Sequence, residues 1–202
     1  MPSNEIKPEA AASSAVKLNT APSGQPRARS QALVVVVMGV SGCGKSTVGL
    51  ALAQRMGWRF VDADDFHPSA NVEKMRAGIA LTDDDRAPWL SKLNAVLRHS
   101  AAKGQSIVLA CSALRERYRV MLADRLPDLR VVHLTGSFEL IETRLKARQH
   151  RYMPAALLQS QFNTLEPPTN ALTLDIARPV GEIVEEAAAR LDDHDLSNDS
   201  RK

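Results

Sequence analysis

Ala32-Leu33-Val34-Val35-Val36-Val37 runs through Met38 into Gly39-Val40-Ser41-Gly42-Cys43-Gly44-Lys45-Ser46, with Thr47 behind it. The first run is aliphatic and β-branched without polar alternation, so a strand made from it must be buried on both faces. That pattern belongs to a central strand of a parallel sheet with helices on each side. The following residues fit G-x-x-x-x-G-K-[ST]. Glycines at these positions let successive backbone N–H groups turn inward around a phosphate. A helix opening directly behind them adds the positive end of its dipole. Lys45 is spaced to bridge the β- and γ-phosphates of a nucleotide, the Ser46 hydroxyl to ligate Mg²⁺, and Thr47 to extend the nest. Val48, Leu50, Leu52, Ala53 and Met56 supply the apolar residues of that helix, and Gly57 stops it. A glycine-rich turn without a ligand is the bland alternative; the buried strand before it and the helix after it argue for nucleotide binding.

The rest of the composition bounds the setting. A chain of 202 residues with 44% hydrophobic and 24% charged residues fits one domain with a sizeable core. Aromatics make up only 4%, so that core rests on Leu, Val, Ile and Ala. The net charge of +3 comes partly from Lys7, Lys17, Arg27 and Arg29, and Asp192, Asp193, Asp195 and Asp199 offset it. No basic stripe with interleaved aromatics appears, which argues against a nucleic-acid partner. Two cysteines make no disulfide framework and fit a reducing, cytoplasmic compartment. The longest apolar run, Ala32 to Val40, is too short to span a membrane. Residues 1–30 lack a signal-peptide layout and read as a disordered leader. The phosphate-loop domain is expected over 31–191, and 192–202 as a flexible acidic tail.

Outward from the phosphate loop, Trp58 to Val61 reads as a second strand with Asp62 at its C-terminal end. A short helix is expected around Asn71 to Ala77. Asp83-Asp84-Asp85 can cap the next helix, with Pro88 in its first turn and Trp89, Leu90, Leu93, Val96 and Leu97 on its apolar face. Ser106 to Ala110 and Val131 to Leu134 read as strands, separated by a helix around Ala113 to Arg125. A basic helix runs from Ser137 toward Arg148. The stretch 149–168 is polar and broken by prolines, with a short helical pattern near Ala155 to Phe162. A fifth strand over Leu172 to Ile176 and a last helix over Val180 to Leu191 complete the chain. Strands alternating with helices imply an α/β fold with a parallel sheet covered on both faces.

Ligands of such sheets bind at the C-terminal ends of the strands. Asp62-Ala63-Asp64-Asp65 lies there. One carboxylate can hold Mg²⁺ through water, and another can orient an attacking hydroxyl or take its proton. A solvated acidic turn would look the same in isolation; beside a phosphate loop the chemical reading is the better one. No N-K-x-D motif for guanine recognition is present, so the pattern favours phosphoryl transfer to a small acceptor over a GTPase switch.

Several longer stretches follow in one order: Asp62-Ala-Asp64-Asp-Phe-His67-Pro68, Asn71-Val-Glu-Lys-Met75, Leu81-Thr-Asp-Asp-Asp-Arg86 with Pro88-Trp89-Leu90, Cys111-Ser-Ala-Leu114, Tyr118-Arg119, Arg144-Leu-Lys-Ala-Arg148, and Leu157-Leu-Gln-Ser-Gln-Phe-Asn-Thr-Leu-Glu166. Over about Val34 to Leu191 the chain resembles the gluconokinases. The resemblance implies a P-loop NTPase fold of the nucleoside-monophosphate-kinase type, with a central five-stranded parallel sheet and a mobile lid over about 149–168. It further implies MgATP as phosphoryl donor, the 6-hydroxyl of D-gluconate as acceptor, and a homodimer. The chain departs from the family at the lid, where His150-Arg151-Tyr152-Met153 stands in place of G-H-F-M.

Roles follow from that resemblance. Lys45 neutralises the transferring phosphoryl group, Asp62 holds the Mg²⁺ surroundings, and Asp64 orients the 6-hydroxyl. His67 is a candidate hydroxyl contact. The carboxylate of gluconate calls for an arginine fork, and Arg86 and Arg119 are the candidates, although either could pair with Asp83 or Glu116 instead. Arg144 and Arg148 lie four apart on one helix face; such a pair serves adenine and the phosphates, or is a solvated basic face. Asp175 to Pro179 is expected to form the adenine-side loop. Trp89 reads as a core anchor. Cys43 and Cys111 are either neighbours at the floor of the site, where oxidation of Cys43 would block ATP, or, as the more ordinary reading, small buried thiols without regulatory meaning. The alternatives are a related small-metabolite kinase of the shikimate or adenylylsulfate type, or an ATP-binding regulator without turnover.

Overall fold

The computed structural model describes residues 32–147 and 156–199. Every residue of β1 (Val34–Met38) is buried. Its side chains alternate between two cores, because neighbouring residues of a strand point to opposite faces. Val35 and Val37 belong to one apolar cluster, and Val34, Val36 and Met38 to the other. The expected strand buried on both faces is therefore present, and two helical layers cover it.

The chain continues through α1 (Lys45–Met56), β2 (Arg59–Asp62), a 3₁₀ turn over Ala63–Phe66, α2 (Ser69–Arg76) and α3 (Asp83–Ala102). It then forms β3 (Ile107–Ala110), α4 (Glu116–Ala123), β4 (Arg130–Thr135) and α5 (Phe138–Ala147). After the undescribed residues come α6 (Ala156–Thr164), β5 (Leu172–Asp175) and α7 (Val180–Asp199). The five strands pair in the order β2-β3-β1-β4-β5, all parallel. The α/β class and the five-stranded parallel sheet agree with the expectation.

On one face lie Leu52 of α1, Ile141 and Leu145 of α5, and Ile183, Ala187 and Leu191 of α7. On the other lie Trp89, Leu90, Leu93 and Leu97 of α3 with Tyr118 and Leu122 of α4. Leu52 and Leu93 are fully buried, so truncating either to Ala costs about 2–5 kcal/mol. That is a large part of the 5–15 kcal/mol or so that holds a typical domain together.

Three local details differ from expectation. The cap of α3 is Thr82, not the aspartate run: its hydroxyl accepts from Asp85 N, and Asp85 returns the bond to Thr82 N. Lys74 adds a bond to Asp85 at 2.7 Å, and together these hold the Asp85 carboxyl down to about 2. Because the helix starts at Asp83, Pro88 falls beyond the first turn, where it withholds an N–H from the carbonyl of Asp84. Finally, α7 runs on to Asp199 instead of stopping at Leu191. No Gly or Pro follows Gly181 to break it. The expected leader over 1–30 and the central part of the expected lid, with Arg148, His150, Arg151, Tyr152 and Met153, lie outside the described residues.

Candidate active site

The phosphate loop is built by backbone geometry. Gly39 has φ 143°, and a Cβ there would sit 2.6 Å from the carbonyl oxygen of Leu134. Gly44, the N-cap of α1, has φ 96° in the left-handed region that side chains avoid. Behind it, Val48 N donates to Gly44 O at 2.9 Å and starts the helix. Lys45 Nζ rests on the carbonyl of Val40 at 3.1 Å. Val40 and Cys43 turn their side chains into the core and contribute to the loop only backbone.

Ser41, Gly42, Gly44, Lys45, Ser46 and Thr47 open onto one cavity, together with Asp62 and Asp64. Its volume of about 260 Å³ suits a metabolite better than a macromolecular surface. Ser46 Oγ donates to Asp62 Oδ2 at 2.5 Å, so a hydroxyl and a carboxylate oxygen already meet at the mouth of the loop. Hard oxygen donors of this kind fit Mg²⁺, which keeps several waters and takes few protein ligands. Among the described residues, no group of three or more His, Cys, Asp or Glu forms a metal cage. Asp62 Oδ1 also accepts from Asp64 N at 3.1 Å, capping the 3₁₀ turn and directing the next carboxylate into the cavity.

The far side of the cavity is assembled from side chains. The His67 ring stacks on Trp89, with centroids 4.1 Å apart. Trp89 Nε1 in turn donates to Ala63 O at 2.9 Å, so Trp89 is both the expected core anchor and part of the cavity wall. His67 Nε2 lies 3.9 Å from Asp64 Oδ1, while its buried Nδ1 has no protein partner. Burial, with the charge of Arg86 second, lowers the His67 pKa to about 4, so the ring is neutral at physiological pH. Arg86 reaches the same wall; its guanidinium donates to the carbonyls of Leu81 and Thr82 and lies 5.5 Å from the ring centre of Tyr118. Tyr118 donates to Asp83, which also pairs with Arg117.

Arg119 takes the alternative named for it, pairing with Glu116 away from the cavity wall. It is buried, and its guanidinium bonds the carbonyls of Ala113 and Leu114 and the carboxylate of Glu116. Those bonds bind the turn before α4, where Ala113 has φ 43°, and Arg119 is not on the cavity wall. Arg144 is likewise off that wall; its Nη2 donates to Ile176 O at 2.8 Å, within the expected adenine-side loop. The two thiols are free and buried, but they belong to the cores on opposite faces of the sheet. Burial raises both thiol pKa values, that of Cys111 to about 12. A joint, reactive thiol floor is therefore not what the fold builds.

Other wall residues carried no expected role. Val72, Met75, Ile79 and Leu81 form an apolar side; Ser112, Ser160, Gln161 and Thr164 form a polar one. The polar set falls in stretches quoted above for their resemblance, and their spacing alone carries no signal of a cavity.

An anion cradle that shares a metabolite-sized cavity with two aspartates defines the class: a P-loop kinase acting on a small molecule. Comparison with known proteins narrows this. The family model described as shikimate kinase matches residues 41–191. A probable gluconokinase of Xenopus tropicalis is 42% identical over 79% of this chain and 94% of its own length. A gluconokinase of Gluconobacter oxydans is 50% identical over 66% of this chain and 75% of its own. The crystal structure of a gluconokinase from Sinorhizobium meliloti superposes with a TM-score of 0.75 at 41% identity, covering 84% of this chain and 97% of that one. The chain belongs to the gluconokinase family.

Proposed function

We propose that the chain transfers the γ-phosphoryl group of MgATP to the 6-hydroxyl of D-gluconate, giving 6-phospho-D-gluconate and ADP. The observation that carries this is one cavity lined by Lys45, Ser46, Asp62 and Asp64 and also by His67 and Arg86. It couples phosphate chemistry to groups suited to a carboxylated polyol.

In this reading N–H groups of the loop other than that of Ser41, with those at the start of α1, bind the phosphates, and Lys45 leaves the Val40 carbonyl to neutralise the transferring group. Ser46 and Asp62 hold Mg²⁺, whose charge offsets that of the phosphates. Asp64 accepts the proton of the 6-hydroxyl as its oxygen attacks phosphorus and the bond to the ADP oxygen breaks. An acyclic polyol has no ring to grip, so hydroxyl and carboxylate contacts fix its pose. Neutral His67 offers one such contact, and Arg86 meets the carboxylate. Arg144 serves the adenine side, and Arg148 the phosphates. Arg119 supports the turn beneath Arg86's neighbour Tyr118 and is left out of the ligand set. A cytoplasmic homodimer completes the reading; light scattering of the full chain tests the dimer.

The deciding experiment is a coupled ADP-release assay on a panel of gluconate, other sugar acids, shikimate and adenylylsulfate. Gluconate should be the preferred acceptor. Shikimate belongs in the panel because of the family model that matches; turnover of shikimate without gluconate would replace this proposal.

A further inference from the structure

One contact bridges the cavity from the phosphate loop to a helix far along the chain. Ser41 N donates to Gln161 Oε1 at 2.6 Å, and Gln161 Nε2 lies 3.3 Å from Ser41 Oγ. A backbone N–H can only donate, so the carboxamide must present its oxygen there and its NH₂ group to the serine. Two bonds to one residue fix the plane of the amide as well as its distance.

Both partners face the cavity. Ser41 is the third residue of the loop, and Gln161 sits on α6 beside Ser160 and Thr164 of the polar wall. The chain just beyond α6 is itself anchored. Glu166 N donates to Leu114 O at 2.8 Å, and Glu166 Oε2 accepts from Glu116 N at 2.6 Å, at the start of α4. The wall is thus tied to the fold behind it and to the phosphate loop in front.

Phosphoryl transfer depends on the distance and alignment between the attacking oxygen and phosphorus, and an error of about 1 Å can cost on the order of 100-fold in rate. In the proposed function the loop carries the phosphoryl group, and the α6 wall, which lines the same cavity, faces the acceptor. A side chain bonded to the loop and rooted in the wall sets that distance.

We propose that Gln161 is a positioning residue of the transfer: it clamps the Ser41 end of the phosphate loop to α6 and so fixes the γ-phosphoryl group relative to the acceptor. This rests on the reading of the chain as a small-acceptor kinase. The Ser41 N–H is engaged by Gln161 rather than offered to phosphate, so the clamp governs transfer more than nucleotide affinity.

The test compares the full chain with Gln161→Ala and Gln161→Glu. Three quantities are read: hydrogen exchange at the Ser41 amide, the Kd for ATP, and kcat and KM with gluconate. In Gln161→Ala, Ser41 exchange should quicken by about tenfold or more. The Kd for ATP should stay within about threefold, while kcat falls roughly 10- to 100-fold. Gln161→Glu keeps an acceptor for the Ser41 N–H, and the Ser41 hydroxyl can donate to its second oxygen. Exchange should then return toward wild type while the added negative charge weakens ATP binding. Unchanged Ser41 exchange, unchanged kcat, or a loss of ATP affinity matching the loss of kcat in Gln161→Ala would each overturn the proposal. If the wild-type chain leaves gluconate untouched, the function proposed above fails separately. The exchange measurement then still decides whether the clamp exists, and kcat is read on whichever acceptor is turned over.

Discussion

At the phosphate-loop end the cavity is lined by Ser41, Gly42, Gly44, Lys45, Ser46 and Thr47, all within one turn and the first turn of α1. At the other end, where the proposed acceptor would sit, the wall is made of side chains of His67, Arg86, Tyr118, Ser160 and Thr164, drawn from four separate stretches of chain. The first end is a local conformation held by glycines; the second exists only once α3, α4 and α6 have packed. Binding a phosphate therefore asks little of the rest of the fold, while choosing an acceptor asks for most of it. Substitutions should separate the two ends cleanly.

The largest effect is expected at the phosphate end. Lys45→Ala should reduce turnover by roughly 10³-fold or more, since in the proposed mechanism it removes the charge that neutralises the transferring group. Its one described bond, to Val40 O, is worth about 1 kcal/mol, or about 2–4 °C in the thermal midpoint. Turnover above a tenth of wild type in the ADP-release assay would remove Lys45 from this role. Asp64→Asn sits at the junction of the two ends. It should lower kcat by about 10²- to 10⁴-fold and leave the Kd for ATP nearly unchanged. Asp64 is well exposed, with 77% of its side-chain surface accessible, so the folded state should survive.

At the acceptor end, Arg86→Lys keeps the charge and loses the fork. The KM for gluconate should rise about tenfold, while a neutral polyol of the same length should be turned over as slowly as by wild type. Equal losses on both acceptors would mean that Arg86 does not read a carboxylate. Arg119→Lys is the matched control. Its guanidinium bonds two carbonyls in the interior, so the substitution should cost about 1.5–3 kcal/mol of stability and little KM.

The same contrast decides what could be read from the amino-acid order. Val34 to Ser46 disclosed a buried strand, a nest and a helix, because each is written in consecutive residues. Asp62 and Asp64 followed from the end of the next strand. Arg86 and Arg119 looked alike as isolated arginines, and both bond main-chain carbonyls in the fold; what separates them is that Arg119 is buried away from the cavity wall while Arg86 lines it. Cys43 and Cys111 are both near β1 in the topology, but whether two side chains share a face depends on strand parity and loop direction, which spacing does not record. Gln161 was part of a recognisable stretch without a role, since its partner lies 120 residues away.

The smallest effect concerns His67, and it tests how the acceptor end is held together. In the fold its pKa is lowered from 6.5 to about 4, chiefly by burial and then by Arg86. Between those values the unfolded chain takes up a proton that the folded chain refuses. Stability must therefore fall as pH drops from 6.5 toward 4 and be insensitive to this group above 6.5. His133 shifts in the same direction through burial and Arg119, so the slope of the wild-type chain contains both. His67→Phe keeps a ring against Trp89 and cannot titrate. Urea unfolding at pH 7, 6 and 5 should show a shallower loss for this variant, with the remainder belonging to His133 and the carboxylates. It also removes the unpartnered Nδ1, so at pH 7 its stability should be at least that of wild type, while the KM for gluconate should rise. An unchanged slope would mean that His67 is solvated in the free enzyme, and the stacked wall it forms with Trp89 would then form only around bound substrate.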